Sequence, residues 1–193
     1  MKTFCRISAS LLLLFLLNSC HETLPQGKKQ SDQFIAFVKN FDTLSLPLIL
    51  SNPNFLKQHV YQFQTFKKIN PKEMYEFMKM DSLIPYPVYY FGQLPMMDSI
   101  YYLINYFEVR DKSNPSMWWT LMKFDYYGSL LSETQISYCL KDSDEIRERF
   151  CKITPNYQCF YLETTGRWNA GKQAITDTVL HTKTINLTYD QNR

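Results

Sequence analysis

The carboxy-terminal half of the chain consists mostly of short segments rich in β-branched and aromatic residues, and this pattern restricts the fold more than any other feature. The segments begin after Pro85 and are separated by turn-forming residues. Such segments are typical of β-strands. In chain order they are PVYYF, SIYYLINYFEV, MWWTLMKF, SLLSETQISYC, CKIT, YQCFYLET and TKTINLTY. Strands joined by short connections usually pair with their chain neighbours, which predicts an antiparallel β meander.

One hairpin can be predicted within this series. Asp125, Tyr126, Tyr127 and Gly128 separate MWWTLMKF from SLLSETQISYC. A glycine at the end of such a loop suits the left-handed backbone conformation that short hairpin loops require. We therefore expect these two strands to pair.

Two short helices are predicted before the strands. Ser31 can cap a helix whose apolar residues recur at helical spacing; they are Phe34, Phe37, Val38 and Phe41. Asn70, Pro71 and Glu73 supply the cap, the first-turn proline and the capping-box acid of a second helix. We expect the N-terminal helix to pack on the sheet.

A third short helix is predicted after Asp142, because Asp142 followed by Glu145 resembles a capping box. This helix would contain Arg147 and Arg149. The fold class predicted from all these segments is α+β, mainly an antiparallel β meander with two or three short helices. The segment from Leu44 to Ile69 fits neither helical nor strand periodicity and is not assigned.

The amino terminus has the layout of a secretory signal. Lys2 and Arg6 form a positive head, and residues 7–17 are apolar apart from two serines. A membrane-spanning helix needs roughly 20 apolar residues, and a polar segment follows Cys20 directly, so a permanent span is not expected.

Leu17, Asn18, Ser19 and Cys20 resemble the lipobox of bacterial lipoproteins. The resemblance implies cleavage after residue 19, lipidation of Cys20 and a place among uncharacterised Bacteroidota-type lipoproteins. His21 is not the aspartate associated with inner-membrane retention. The resemblance therefore implies anchoring in the outer membrane, and on its periplasmic leaflet, because only Glu22 is acidic after Cys20 where surface-exposed lipoproteins of this type carry an acidic run. The alternatives are an ordinary secretory signal with a chance cysteine, or a buried helix.

The mature chain would comprise a flexible tether at residues 20–30 and a single globular domain at residues 31–193. Removal of Lys2 and Arg6 reduces the 21 Lys and Arg residues to 19, against 18 Asp and Glu. The domain is nearly neutral and has no basic stripe that suits a phosphate backbone, so nucleic acid is not expected as a partner.

Three cysteines, Cys139, Cys151 and Cys159, remain after Cys5 is removed and Cys20 is lipidated. Residues 154–156 can form a three-residue hairpin loop, which would place Cys151 directly opposite Cys159. Opposed strand residues are close enough for a disulfide, and an oxidising compartment allows one. Buried thiols without a bond are the equal alternative.

No local pattern indicates catalysis, a metal or a cofactor. The three histidines are His21, His59 and His181, and none has a partner at metal-ligand spacing. The common hydrolase and nucleotide-binding signatures are absent from the sequence, so no catalytic residue is assigned. An active site assembled from distant residues is still compatible with the sequence.

The adjacent aromatic pairs are the candidate contact residues for a ligand or partner. Neighbouring residues on a strand point to opposite faces, so one member of each pair can fill the core while the other faces outward. An outward aromatic row could contact sugar rings or a protein edge. The residues are Trp118, Trp119, Tyr101 and Tyr102. The alternative is a helix or loop layer that covers this face.

The sequence therefore favours a lipid-anchored cell-envelope protein that acts as a non-catalytic binding or assembly module. Its expected partners are the membrane, through lipidated Cys20, and an envelope protein or glycan. The alternative is an enzyme that acts on envelope polymers with a dispersed active site.

Overall fold

A computed structural model describes residues 30–50, 66–80, 85–109, 111, 114–169, 171 and 174–187. Seven antiparallel strands follow one another along the chain and pair in chain order, while a short strand, β1 (Leu48–Leu50), pairs separately with β6. The seven are β2 (Val88–Met97), β3 (Ile100–Val109), β4 (Ser116–Phe124), β5 (Leu130–Asp142), β6 (Glu145–Ile153), β7 (Gln158–Asn169) and β8 (Ala174–Asn186). The predicted β-dominant meander is confirmed.

The predicted hairpin between β4 and β5 is also confirmed. Phe124 pairs with Leu130, and Gly128 has a φ of 91°. The side chain of Asp125 accepts hydrogen bonds from the backbone N–H groups of Tyr127 (2.9 Å) and Ser129 (2.8 Å). The loop is therefore fixed by one carboxylate and by one residue in the left-handed region.

Two helices lie within the part of the chain that the structure describes, and both have the predicted caps. In α1 (Asp32–Val38), the Ser31 hydroxyl accepts from the backbone N–H of Phe34 at 3.4 Å. In α2 (Pro71–Glu76), Asn70 and Glu73 form a complete capping box.

The third predicted helix is wrong, because residues 145–153 form strand β6. Asp142 pairs with Glu145 across a two-residue turn, in which Ser143 has a φ of 55°. Acidic and small polar residues serve equally as helix caps and as turn residues, so the capping pattern was ambiguous here. As a strand, β6 places Arg149 in the sheet.

The described residues form two buried clusters, whose members alternate along β3 and β4 and so lie on opposite faces of those two strands. The first contains residues of strands β1 to β7 together with Tyr157 and Leu187, which lie outside the strands. The second combines residues of α1 and α2 with residues of β2, β3 and β4; its largest members include Phe34, Phe37, Phe77, Phe107 and Phe124. The Phe34 and Phe124 ring centroids are 5.4 Å apart.

The sheet divides between β5 and β6. These strands pair only from Tyr138–Arg149 to Asp142–Glu145, and beyond Arg149 strand β6 pairs with β1 instead. We call this point of separation the fork. The buried Ser137 hydroxyl lies there and donates to the carbonyl oxygen of Arg149 at 2.6 Å, with the Leu50 carbonyl oxygen at 3.4 Å. Ser137 thus joins the three diverging backbones.

Candidate functional site

The separation of β5 from β6 opens a cleft of about 570 Å³. Arg149, the last β6 residue that pairs with β5, lies at its base. The cleft contains both polar and apolar groups, in the size range of ligand sites. Its lining residues are Lys123, Ser132, Glu133, Thr134, Arg149, Tyr161, Glu163, His181, Thr182, Lys183, Ile185, Asn186 and Leu187.

The Arg149 guanidinium is held by contacts from two neighbouring strands. Its Nε and Nη2 donate to Oε2 of Glu163 at 3.1 and 2.8 Å, and its Nη1 donates to the Gln135 carbonyl oxygen at 3.0 Å. Its Cζ atom lies 4.7 Å from the Tyr138 ring centroid and 5.0 Å from that of Tyr161. A planar guanidinium can make both kinds of contact at once, which an ammonium group cannot do as well.

The contact with Gln135 explains how the fork is maintained. Gln135 lies on the part of β5 that no longer pairs with β6. The Arg149 guanidinium therefore supplies a hydrogen bond that a neighbouring strand would otherwise supply. The same side chain closes the base of the cleft and satisfies the backbone that borders it.

Tyr138 and Glu163 complete this group. Burial opposes ionisation of Glu163, but hydrogen bonds from Arg149 and Tyr138 and the Arg149 charge hold the pKa of its carboxyl below the usual value. Burial and the hydrogen bond to Glu163 raise the pKa of Tyr138 to about 12. At neutral pH this group therefore combines the charged carboxylate of Glu163 and the cation of Arg149, which line the cleft, with the neutral phenol of Tyr138 behind them.

These residues belong to one row that crosses five strands. Trp118 pairs with Tyr138, Tyr138 with Arg149, Arg149 with Glu163, and Glu163 with His181. Side chains of directly opposed strand residues lie side by side on one face. The row therefore runs from an aromatic end to a charged end, and the charged end forms part of the cleft.

The four predicted aromatic contact residues have different positions. Trp119 and Tyr102 are only 2% and 3% exposed and belong to the core, so a contact role for them does not fit the structure. Trp118 is half-buried and stacks on Phe107, with ring centroids 4.9 Å apart. None of the four lines the cleft.

A covering layer accounts for the limited exposure of the outward pair. The Tyr86 ring lies edge-on to Trp118 at 5.2 Å, and the Phe34 ring lies edge-on to Tyr101 at 5.4 Å. Gln30 also donates from Nε2 to the Tyr101 hydroxyl at 2.9 Å. These contacts match the alternative in which loop and helix residues cover the aromatic row.

The predicted cysteine loop is displaced by one residue. The backbone N–H of Thr154 donates to the carbonyl oxygen of Gln158 at 2.9 Å, so the three loop residues are 155–157 rather than 154–156. Cys151 therefore pairs with Tyr161, and Cys159 with Ile153. The two Sγ atoms are nevertheless 2.6 Å apart, because both side chains enter the same buried cluster. The Cys151–Cys159 disulfide stays a prediction.

Sequence reasoning missed most of the cleft. Arg149 was assigned to a helix, while Glu163, Lys123 and Lys183 carried no local signal. His181 was noted only as an isolated histidine, and the structure places it in the cleft lining; His21 and His59 lie outside the described residues. Alternation of Cys151, Lys152 and Ile153 was the one local sign of strand β6.

The residues that the structure describes hold no group of three or more His, Cys, Asp or Glu side chains arranged to bind a metal ion. Among the same residues, no helix has both the length and the apolar character needed to cross a bilayer. The chain matches no known protein-family model, and no curated protein or solved structure is significantly similar to it. Arguments about function therefore depend on the geometry of the cleft.

Proposed function

We propose that this protein is a lipid-anchored cell-envelope protein whose cleft binds a polar ligand without changing it chemically. The observation that supports this most directly is the fixed Arg149 group at the base of the cleft. Its hydrogen bonds to Glu163 and Gln135 and its position between two tyrosine rings leave little freedom to reorganise. A preorganised polar base lowers the entropic cost of binding.

We favour a glycan as the ligand. The wall residues supply hydroxyl groups from Ser132, Thr134 and Thr182, and cationic groups from Lys123 and Lys183. Sugars present many hydroxyl groups that both donate and accept, so a wall of mixed donors and acceptors suits them. Three Lys and Arg residues against two carboxylates also favour glycans that carry acidic groups.

The cleft can be tested with purified envelope polysaccharide and peptidoglycan fragments in isothermal titration calorimetry. Ser132→Trp would fill the cleft, and His181→Ala would remove one polar contact. We expect Ser132→Trp to weaken binding at least about tenfold, equivalent to about 1.4 kcal/mol. Thr184→Ala is the matched control, since Thr184 is exposed on the same strand as His181 but does not line the cleft. Equal binding by all the variants would contradict the proposal.

We propose that Cys20 carries the lipid anchor, in the outer membrane and facing the periplasm. Cys20 lies outside the described residues, so the support comes from the lipobox resemblance. Two or more acyl chains suffice for stable attachment. Cys20→Ser should release the protein from the membrane fraction and remove the lipid mass from its amino-terminal peptide. An unlipidated wild-type Cys20 would contradict the proposal.

We also infer that α1 is a fixed part of the domain, packed on the sheet. Its Phe34 and Phe37 are buried beside Phe77 and Phe124, and Phe37 stacks on Phe77 with ring centroids 4.7 Å apart. Hydrogen exchange measures this directly. The α1 amides should exchange as slowly as amides in β3, whereas exchange near the free-chain rate would show an undocked helix.

An envelope-polymer hydrolase is the second candidate, because two carboxylates line the cleft from different strands. Partial desolvation in the cleft wall raises the pKa of Glu133, although much of its side chain is exposed, while the pKa of Glu163 is lowered. A protonated and an ionised carboxyl are the groups that glycoside hydrolysis uses. We rank this function second because Glu163 is already neutralised by Arg149.

Product analysis separates the two candidates. A hydrolase would release reducing ends from the bound glycan, and both Glu133→Gln and Glu163→Gln would abolish that release. A binding protein would leave the glycan intact in the wild type. The measurement is reducing-end quantification after prolonged incubation, with the same preparations used for calorimetry.

A further inference from the structure

The two outer edges of the sheet differ in how they are covered. On the β2 edge, the backbone N–H of Leu44 donates to the Gln93 carbonyl oxygen at 2.8 Å, and that of Tyr90 donates to the Lys67 carbonyl oxygen at 3.1 Å. Thr43 and Lys68 form isolated bridges to the same strand. Short segments of the chain therefore cover part of this edge.

The β8 edge has no such cover among the described residues. Strand β8 is the last in the sheet and pairs only with β7 over thirteen residues, Ala174–Asn186. Every side chain from Asp177 to Thr184 is exposed, and Val179 and Leu180 are 53% and 59% exposed. A long open edge with exposed apolar residues is a template for pairing with another strand.

The sequence of β8 is self-complementary about Leu180. At three of the five distances on either side of Leu180 the two residues are identical, at one distance an acid faces a base, and Val179 and His181, directly beside Leu180, differ. The matched positions are Thr178 with Thr182, Asp177 with Lys183, Thr176 with Thr184, and Ile175 with Ile185. In an antiparallel pair related by a twofold axis at residue 180, residue i lies opposite the partner's residue 360 − i.

We propose that β8 is a dimerisation edge, where it pairs antiparallel with β8 of a second copy of this chain about a twofold axis at Leu180. Each copy then places Asp177 beside Lys183 of the partner copy, which gives two symmetric ion pairs. The two Leu180 side chains meet at the axis, and threonines lie opposite threonines. Opposite charges and like β-branched residues are favourable cross-strand neighbours.

A bulge sets the length of the paired segment. The register of β7 and β8 shifts between Thr165 and Arg167, and Asp177 there has a φ of 54°. A bulge bends its strand and ends regular pairing. The regular ladder therefore covers residues 178–182 of each copy, and the two ion pairs flank it. So short an interface makes the dimer weak in dilute solution and dependent on concentration.

The symmetry is compatible with attachment of both copies to one surface. The twofold axis that relates two antiparallel strands is perpendicular to their sheet. Both copies then present the same face in the same direction, and their residues 30, which lead to Cys20, lie on the same side. Two anchored copies can therefore pair without twisting either tether around the other.

Cysteine cross-linking of the full chain tests both the contact and its register. Leu180→Cys should oxidise to a covalent dimer, because residue 180 lies opposite itself. Thr178→Cys and Thr182→Cys should each stay monomeric alone but cross-link when the two are mixed. The wild type is the control, since Cys139, Cys151 and Cys159 are buried. No Leu180→Cys dimer, or equal cross-linking of Thr178→Cys alone, would overturn the proposal.

Charge substitution gives a second readout that needs no new cysteine. Lys183→Glu places like charges opposite Asp177, so the dimer dissociation constant should rise at least about tenfold in analytical ultracentrifugation. Lys183→Arg should keep the dimer. Lys152→Glu is the matched control, because Lys152 is exposed on β6, away from the β8 edge. A wild type that is monomeric up to about 1 mM, or equal effects of both glutamates, would overturn the proposal.

Discussion

The two halves of the sheet are stabilised by different kinds of contact. On β2, β3 and β4, aromatic residues such as Phe107 and Phe124 are buried together with Phe34 and Phe37. We call this the aromatic half. On β6, β7 and β8, which we call the polar half, Phe160 and Leu180 are 42% and 59% exposed, and charged groups surround the fork.

This difference separates stability from recognition. Burial of large aromatic side chains stabilises the folded state, so the aromatic half can serve as the scaffold. Exposed apolar residues and a cleft with fixed charges are features of surfaces that bind. The polar half carries the β8 edge and most of the glycan cleft, to which Lys123 of β4 and residues 132–134 of β5 also contribute.

The largest expected effect is in the aromatic half. Phe37 is 1% exposed and contacts Phe41, Phe77 and Tyr90. Phe37→Ala should lower the free energy of unfolding by about 3–5 kcal/mol, through lost burial and the cavity left behind. The measurement is urea denaturation with the slope compared between variants.

Phe160→Ala is the matched control in the polar half. Phe160 is 42% exposed, so its truncation should cost less than about 1 kcal/mol. Equal losses of unfolding free energy for Phe37→Ala and Phe160→Ala would show that burial stabilises the polar half as much as the aromatic half. That result would contradict the proposed division between the two halves.

The next largest effect concerns the cysteines of the polar half. If Cys151 and Cys159 form the predicted disulfide, the bond closes a short loop and contributes about 2–3 kcal/mol. Cys151→Ser should then cost that amount beyond the effect of Cys139→Ser, a substitution of a buried thiol at another site. Alkylation of the denatured, unreduced protein should label Cys139 and neither of the others. Labelling of all three cysteines would show that the disulfide is not formed.

A smaller effect is expected for the ion pair at the fork. Double-mutant cycles with Arg149→Met and Glu163→Gln should give a coupling energy of about 1–2 kcal/mol, because both side chains are partly buried and the hydrogen bonds between them are charge-assisted. The Arg147–Glu145 pair, at 2.9 Å and about half exposed, supplies the control. Its coupling should be below about 0.5 kcal/mol. Equal coupling energies for the two pairs would mean that partial burial does not strengthen the Arg149–Glu163 ion pair.

The meander and both caps could be predicted from the sequence because they depend on neighbouring residues. Strand periodicity extends over a few positions, and Ser31 and Asn70 bond within their own first turns. The β4–β5 hairpin was equally local, since its loop is fixed by Asp125 and Gly128.

The fork could not be predicted, because it depends on where β5 stops pairing with β6. That register is decided by contacts between residues far apart in sequence, such as Ser137 with Leu50 and Arg149 with Gln135. The cysteine loop shows the same limit. Tyr157 adopts a φ of 56°, with its ring 4.9 Å from Tyr102, and its position moves the loop by one residue. Moving the loop by one residue shifts each cross-strand pairing by two residues and leaves every side chain on the same face. The alternation of apolar and polar residues in the sequence therefore does not reveal it.

The smallest effects are pH-dependent and concern two carboxyls on adjacent strands of the polar half. Glu148 lies on β6 and Glu163 on β7. Burial raises the pKa of Glu148, partly offset by its contact with Cys139. Despite burial, hydrogen bonds from Arg149 and Tyr138 lower the pKa of Glu163. Relative to the unfolded chain, folding therefore favours protonation of Glu148 and ionisation of Glu163.

Opposite pH dependences follow for the two glutamine variants. Glu163 contributes stability above its unfolded pKa, about 4.3, and loses it as the pH falls through its lower folded pKa. The deficit of Glu163→Gln should thus be constant above pH 6 and shrink in acid. Glu148 favours folding while protonated, and that advantage is lost as the pH rises through its folded pKa, so Glu148→Gln should become relatively more stable with rising pH. Denaturation from pH 3 to 8 measures both differences. If the stabilities of the two variants instead change with pH in the same way, the charges of Glu148 and Glu163 do not contribute to stability as proposed. The contrast between the polar half and the aromatic half would then fail on this point.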